Sequence, residues 1–209
     1  MESKINTFIF DIDGTLIDTF SRSVAALREA LHDVLGATYT DDELAFHFGI
    51  TLEDALLRLK IDEKHFSSIS SKVDAHYGGE GKAFIIFNGI EQMLENLSKN
   101  DVTIGIVTSK AKDEFDQDFK NLSIAQYFNI VVCADATLKH KPNPDPIEKF
   151  IELSGVEKGS AIYVGDTNYD CSCAHGAGIK FGLAMWGALD SNIKADYFFS
   201  IPNEILRLI

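Results

Sequence analysis

Positive charge is in short supply in this chain: 19 Lys and Arg face 32 Asp and Glu, for a formal net charge of −13. A field of that sign repels nucleic-acid phosphates and anionic membrane surfaces. It argues against a nucleic-acid polymer or a membrane as partner, and a small anionic substrate would need a local metal or lysine to hold it. Cysteine is also scarce. Cys133, Cys171 and Cys173 form an odd set with no disulfide framework. No stretch approaches the ~18 apolar residues of a membrane span, and the opening "MESKINTF" lacks the apolar run of a signal peptide. The expectation is a reduced, soluble, cytoplasmic protein, monomeric or homodimeric.

Apolar material, by contrast, is ample. With 45% hydrophobic residues and 15 Phe in 209 positions, the chain can build one sizeable core, as one domain or one domain carrying a large insertion. "INTFIF" reads as a short buried strand. The next stretch places Phe20, Val24, Leu27, Leu31 and Leu35 at helical spacing and closes on Gly36. "TDDELAFHFG", "TLEDALLRLK" (with Thr51 and Asp54 in capping-box spacing) and "DEKHFSSISSKVDAHYGG" continue as helices, so residues 20–78 read as wholly helical. After "GGEGK" the pattern changes to alternation: strands "VTIGIVTS", "IVVCAD", "AIYVGD", "FGLAMW" and "YFFS" are interleaved with helices. Such alternation predicts an α/β fold, a doubly wound parallel sheet with helices on both faces. An insertion of roughly seventy residues after strand one far exceeds the ordinary loop of about 2–6. The expected division is a core of residues 1–16 and 86–209 and a helical cap of residues 17–85, with hinges near Leu16 to Thr19 and Gly81 to Asn88.

Ligands of open α/β sheets bind outside the carboxyl ends of the strands, and those ends are rich in chemistry here. "FIFDIDGT" delivers Asp11 and Asp13, "VTIGIVTS" delivers Thr108 and Ser109, and "IVVCAD" leads to Lys141. "AIYVGD" delivers Asp166, with Asp170 on the opening turn of the following helix. Two acids at the tip of a buried strand repel each other unless a cation holds them. Carboxylate oxygens suit Mg²⁺, which takes one or two acids plus water and phosphate, so Asp11 and Asp166 are the expected direct ligands. Asp11 can then attack phosphorus. Thr108 or Ser109, the Lys141 ammonium and the backbone N–H groups of Asp13 and Gly14 are expected on the phosphoryl oxygens. Gly14 suits close approach of backbone to a ligand.

"DIDGT" followed by a helical insertion, "VTS", "KPNPDP" and "VGDTNYD" resemble, in order and spacing, the four motifs of the haloacid dehalogenase-like superfamily. The branch they resemble holds the capped phosphatases related to phosphoglycolate phosphatase and β-phosphoglucomutase. The resemblance implies that Asp11 is a nucleophile forming an aspartyl-phosphate and that Asp13 is general acid and then general base. It also implies that the Asp13 backbone carbonyl and Asp170 serve the Mg²⁺ site. The implied activity is Mg²⁺-dependent hydrolysis of a small phosphorylated metabolite. Departures from the pattern bear on the branch: "AFIIFNGI" has no proline at the re-entry, Leu52 stands where mutases of the branch carry an Arg, and Ser23 where they carry a His. Both losses argue for hydrolysis over phosphate exchange.

Several residues have competing readings. Asp166 alone would serve as the N-cap of the helix beginning at Thr167, and Lys139 in "KHK" rivals Lys141 as the phosphate ligand. His140 and His175 read as surface or satisfied residues, and Cys171 and Cys173, two apart on a helix, do not share a face for metal ligation. His47, Phe48, Thr51 and Lys82 are candidates for the cap side of a pocket or for ordinary cap packing. A different class, a receiver module that only accepts a phosphoryl group on Asp, would carry its acceptor on a later strand and have no cap.

Overall fold

The computed structural model describes residues 4–78 and 84–209. Lys82 and the Gly81 end of the expected hinge lie outside the described residues. The chain divides into two units, one of residues 1–18 and 86–209, the other of residues 19–85.

The first unit is built on six strands: β1 (Thr7–Phe10), β4 (Thr103–Val107), β5 (Ile130–Val132), β6 (Ala161–Gly165), β7 (Lys180–Ala184) and β8 (Tyr197–Phe199). The short strands β2 (Ile17–Asp18) and β3 (Ile85–Ile86) lie outside this sheet. The sheet order is β5-β4-β1-β6-β7-β8, and every pairing is parallel. Thr7 aligns with Thr103 on one side and Ala161 on the other, so β1 is central. The chain winds outward in both directions from it, giving the doubly wound α/β architecture. Helices α5 (Ile90–Ser98), α6 (Lys112–Asp118), α7 (Asp145–Ser154) and α8 (Asn168–Ala177) connect the strands, and a 3₁₀ segment, Pro202–Leu208, ends the chain. Parallel strands covered on both faces must be apolar throughout. Phe8, Ile9 and Phe10 are fully buried, as are Ile162, Tyr163 and Val164.

The second unit is helical: α1 (Phe20–Leu35), α2 (Asp41–Leu44), α3 (Leu52–Arg58) and α4 (Phe66–Tyr77), with 3₁₀ turns at Ala45–His47 and Glu63–His65. Its own core gathers Val24, Leu27, Leu31, Leu44, Leu56 and Ile69. The expected single helix through "TDDELAFHFG" is a four-residue α-helix running into a 3₁₀ turn. Its start is fixed by a capping box in which Thr40 accepts from Glu43 N at 3.3 Å while Glu43 Oε2 accepts from Thr40 N at 2.8 Å. Among the described residues no helix is long and apolar enough to cross a membrane.

Candidate active site

Three strand ends bring polar residues to one edge of the sheet. β1 stops at Phe10 and Asp11 follows, its N–H donating to Val164 O at 2.9 Å. β4 stops at Val107, and the Thr108 N–H donates to Val132 O at 3.0 Å. β6 stops at Gly165, and Asp166 follows. Because β1 lies between β4 and β6, residues remote in the chain become neighbours.

Asp11, Asp166 and Asp170 are buried and offer carboxylate oxygens within 4.8 Å of one another. Lys141, also buried, places Nζ 3.0 Å from Asp11 Oδ1 and 2.7 Å from Asp170 Oδ1. The Tyr163 hydroxyl, 3.2 Å from Nζ, lies 3.1 Å from Asp170 Oδ1 and donates to Val107 O at 2.8 Å. Asp170 Oδ2 accepts from Thr167 N at 3.0 Å and Thr167 Oγ1 at 2.5 Å. Both Asp170 oxygens thus meet protein donors. That geometry suits orienting Lys141 and capping α8, and it is Thr167, not Asp166, that occupies the N-cap. Lys139 is exposed, so Lys141 is the lysine at the strand ends.

One ammonium against three carboxylates leaves the cluster negative. Burial pushes Asp11 up to about 7, although Lys141 pulls it down and Asp170 and Asp13 push it up further. Burial, with Asp170 and Asp11 adding repulsion, raises Asp166 well above the usual carboxylate range. Lys141 sits above its ordinary value because Asp11 and Asp170 outweigh its burial.

The donor set fits a hard dication. Asp166 Oδ1 accepts from Thr15 Oγ1 at 2.9 Å, but its Oδ2 is buried with no hydrogen-bond partner among the described residues. An unsatisfied buried acceptor costs roughly 1–3 kcal/mol, and a second carboxylate beside it makes the arrangement worse unless a cation enters. Gly14, at φ +78°, keeps the backbone tight against this oxygen: a Cβ there would lie 2.3 Å from Asp166 Oδ2. The Gly14 N–H, expected on a phosphoryl oxygen, donates instead to Ile17 O at 2.9 Å and closes the turn. A second loop braces that turn. Trp186 Nε1 donates to Thr15 O at 2.9 Å, and a Cβ at Gly187 would fall 1.7 Å from Gly14 O.

Asp13 is less buried than Asp11, and its Oδ1 lies 3.4 Å from Lys110 Nζ. Ser109 is half-buried, while Thr108 is buried and its Oγ1 accepts from Lys110 N at 3.2 Å. Lys110, Tyr163 and Trp186 were missed by the strand-end reading. Lys110 was within reach of it, being the residue after Ser109.

The remaining candidates fall elsewhere. Cys171 and Cys173 are both buried, and the Cys171 thiol donates to Lys194 O at 3.4 Å. His175 Nε2 sits 2.9 Å from Asp196 Oδ2 near the surface. In the helical unit, Thr51 caps α3 by accepting from Asp54 N at 3.2 Å, and Phe48 packs edge-on against Phe20. His47 is buried, and that burial lowers its pKa. Its Nδ1, 2.7 Å from Leu44 O, must carry the proton, so Nε2 accepts from Ser23 Oγ at 2.9 Å.

The sequence profile of the family described as haloacid dehalogenase-like hydrolase matches residues 8–184, a span that includes every strand end of the site. The chain belongs to the haloacid dehalogenase-like hydrolases. Among relatives of this hydrolase, pyrophosphatase PpaX of Bacillus cereus is 29% identical over 211 residues, covering 99% of this chain and 97% of that one. A Lactobacillus plantarum protein, provisionally named a phosphoglycolate phosphatase, superposes with a TM-score of 0.88 at 27% identity over 99% of this chain and all of its own. A Pseudomonas syringae hydrolase superposes with a TM-score of 0.87 at 25% identity, over 98% of this chain and 97% of its own.

Proposed function

We propose that this hydrolase is a phosphatase that cleaves small phosphorylated metabolites through a phosphoaspartyl intermediate on Asp11, with Mg²⁺ as cofactor. The observation that carries the reading is the buried cluster of Asp11, Asp166, Asp170 and Lys141 with Asp166 Oδ2 left unpaired. Asp11 and Asp166 would hold the ion, which when bound neutralises the cluster and draws charge from phosphoryl oxygens. An Asp11 carboxylate oxygen attacks phosphorus while the bond to the leaving oxygen breaks, and the Asp13 carboxyl gives that oxygen its proton. Asp13, now a carboxylate, takes a proton from water; the water oxygen bonds to phosphorus, the bond to Asp11 breaks, and inorganic phosphate leaves. Lys141, bonded to Asp11 Oδ1 and Asp170 Oδ1, fixes the nucleophile, and Thr108 and Ser109 supply hydroxyls to the phosphoryl group.

The names of the relatives support phosphoric compounds of small size, pyrophosphate and phosphoglycolate among them. The test is phosphate release from pyrophosphate, phosphoglycolate, nucleoside monophosphates and sugar phosphates, with Mg²⁺ and with a chelator. Turnover should require the metal, and Asp11→Asn, nearly isosteric, should fold and lose at least about 10³-fold in kcat, as expected when a nucleophile is removed, here by turning the carboxylate into a neutral amide. Near wild-type turnover by Asp11→Asn would overturn the reading.

A further inference from the structure

Lys110 and Asp118 are charges that the hydrolytic steps above do not use, and they lie in line with Asp13. Lys110 precedes α6, and Asp118 is the last residue of that seven-residue helix. The Lys110 Nζ donates to Asp118 Oδ2 at 2.7 Å while lying 3.4 Å from Asp13 Oδ1. The side chains of Lys110 and Asp118 are 10% and 12% exposed, too enclosed for an ordinary solvated surface pair. Asp118 also faces the negative end of the helix dipole, where an acid is unfavourable unless a cation accompanies it. Glu114, an acid of the same helix, accepts from Ala111 N at 2.6 Å.

We propose that Lys110, anchored by Asp118, is a positioning residue that sets the orientation of the Asp13 carboxyl for proton transfer to the leaving group. A carboxyl torsion is broad and roughly two-fold, so Asp13 by itself would present either oxygen. An ammonium 3.4 Å from Oδ1, itself fixed by Asp118, breaks that symmetry by holding Oδ1 to one side. Oδ2 is then the oxygen presented to the leaving group, the same one in every turnover. Asp118 acts one step further back by fixing Nζ. The inference rests on the reading of Asp13 as general acid.

Leaving-group chemistry separates this role from a merely structural one. Ethyl phosphate releases an alkoxide that needs the proton, whereas p-nitrophenyl phosphate releases a phenolate that leaves without it, and kcat/KM reports only the steps through the first P–O cleavage. General acid catalysis is worth roughly 10²–10⁴-fold, so Asp13→Asn should lose about that factor in kcat/KM on ethyl phosphate and far less on p-nitrophenyl phosphate. Lys110→Met should lose about tenfold to a hundredfold on ethyl phosphate, a share of the same effect, with p-nitrophenyl phosphate nearly unaffected. Lys110→Arg should recover most of the loss, and Asp118→Asn should show the same selectivity at smaller size. Equal losses on both substrates, or no loss on ethyl phosphate, in Lys110→Met and Asp118→Asn alike would overturn the inference while leaving Asp13 as the acid. Absence of leaving-group selectivity in Asp13→Asn itself would overturn the acid assignment and this inference with it. Should Lys110→Met fail to fold, Asp118→Asn carries the same comparison.

Discussion

At the scale of single residues, the ionisation of the buried acids links stability to pH. Burial raises Asp11 from 3.8 to about 7, and burial together with repulsion from Asp170 and Asp11 raises Asp166 well above the usual carboxylate range. An acid whose folded pKa exceeds its unfolded one supports the fold while protonated, and for Asp11 that support is lost as pH climbs from about 4 through about 7. Above that window the metal-free protein holds repelling carboxylates in its interior. At pH 8, Mg²⁺ in large excess over its dissociation constant should therefore raise the melting temperature. A hundredfold excess is worth about 2.7 kcal/mol, and each kcal/mol shifts a chain of this size by roughly 2–4 °C. Asp166→Asn, which removes one charge, should melt higher than wild type without metal and show little of the Mg²⁺ increment. Scanning calorimetry with and without Mg²⁺ checks both; a mutant destabilised without metal would contradict the repulsion argument.

Elements were legible in the sequence where burial and chemistry coincide. The three strands that carry the site, β1, β4 and β6, announce themselves as apolar runs closed by a polar residue, because a strand covered on both faces has no other option, and Asp11, Thr108 and Asp166 followed from those ends. Helix limits in residues 41–65 were less legible, since Thr40, Thr51 and Asp62 restart the backbone at short intervals and two of the segments tighten into 3₁₀ turns. The bracing contacts were not legible. Whether Trp186 and Gly187 touch the turn after β1 depends on where β7 ends in space, and no local pattern encodes that. Their weight can be measured. Gly187→Ala must push a methyl group into the Gly14 carbonyl, an overpacking that costs about 1–3 kcal/mol. It should also displace the turn that holds Asp13, so both melting temperature and kcat should fall. Gly155→Ala is the contrast. Its Cβ meets nothing and its φ is +67°, so it should cost about 1 kcal/mol through backbone strain and leave kcat unchanged.

For the molecule as a whole, the choice is between releasing phosphate and passing it on. A mutase grips the second phosphate of a bisphosphate with a cation. Here Leu52 packs against the apolar core of the helical unit, and Ser23 is engaged by a His47 whose burial disfavours its charged form. Given β-glucose 1-phosphate, a bisphosphate primer and Mg²⁺, the enzyme should liberate free phosphate faster than glucose 6-phosphate accumulates, and a coupled assay for both products decides it. The sheet order has another consequence, in the time domain. β1 is synthesised first, yet it pairs with Thr103–Ile106 on one side and Ala161–Val164 on the other. Parallel pairing across such separations waits on loop closure and is intrinsically slow. On the ribosome the nascent β1 must therefore stay without either lasting neighbour until residue 106 has emerged, and without the second until residue 164 has, a span in which "FIFDI" is an adhesive apolar segment exposed to chaperones. The helical unit, whose core needs only residues already made, can fold meanwhile.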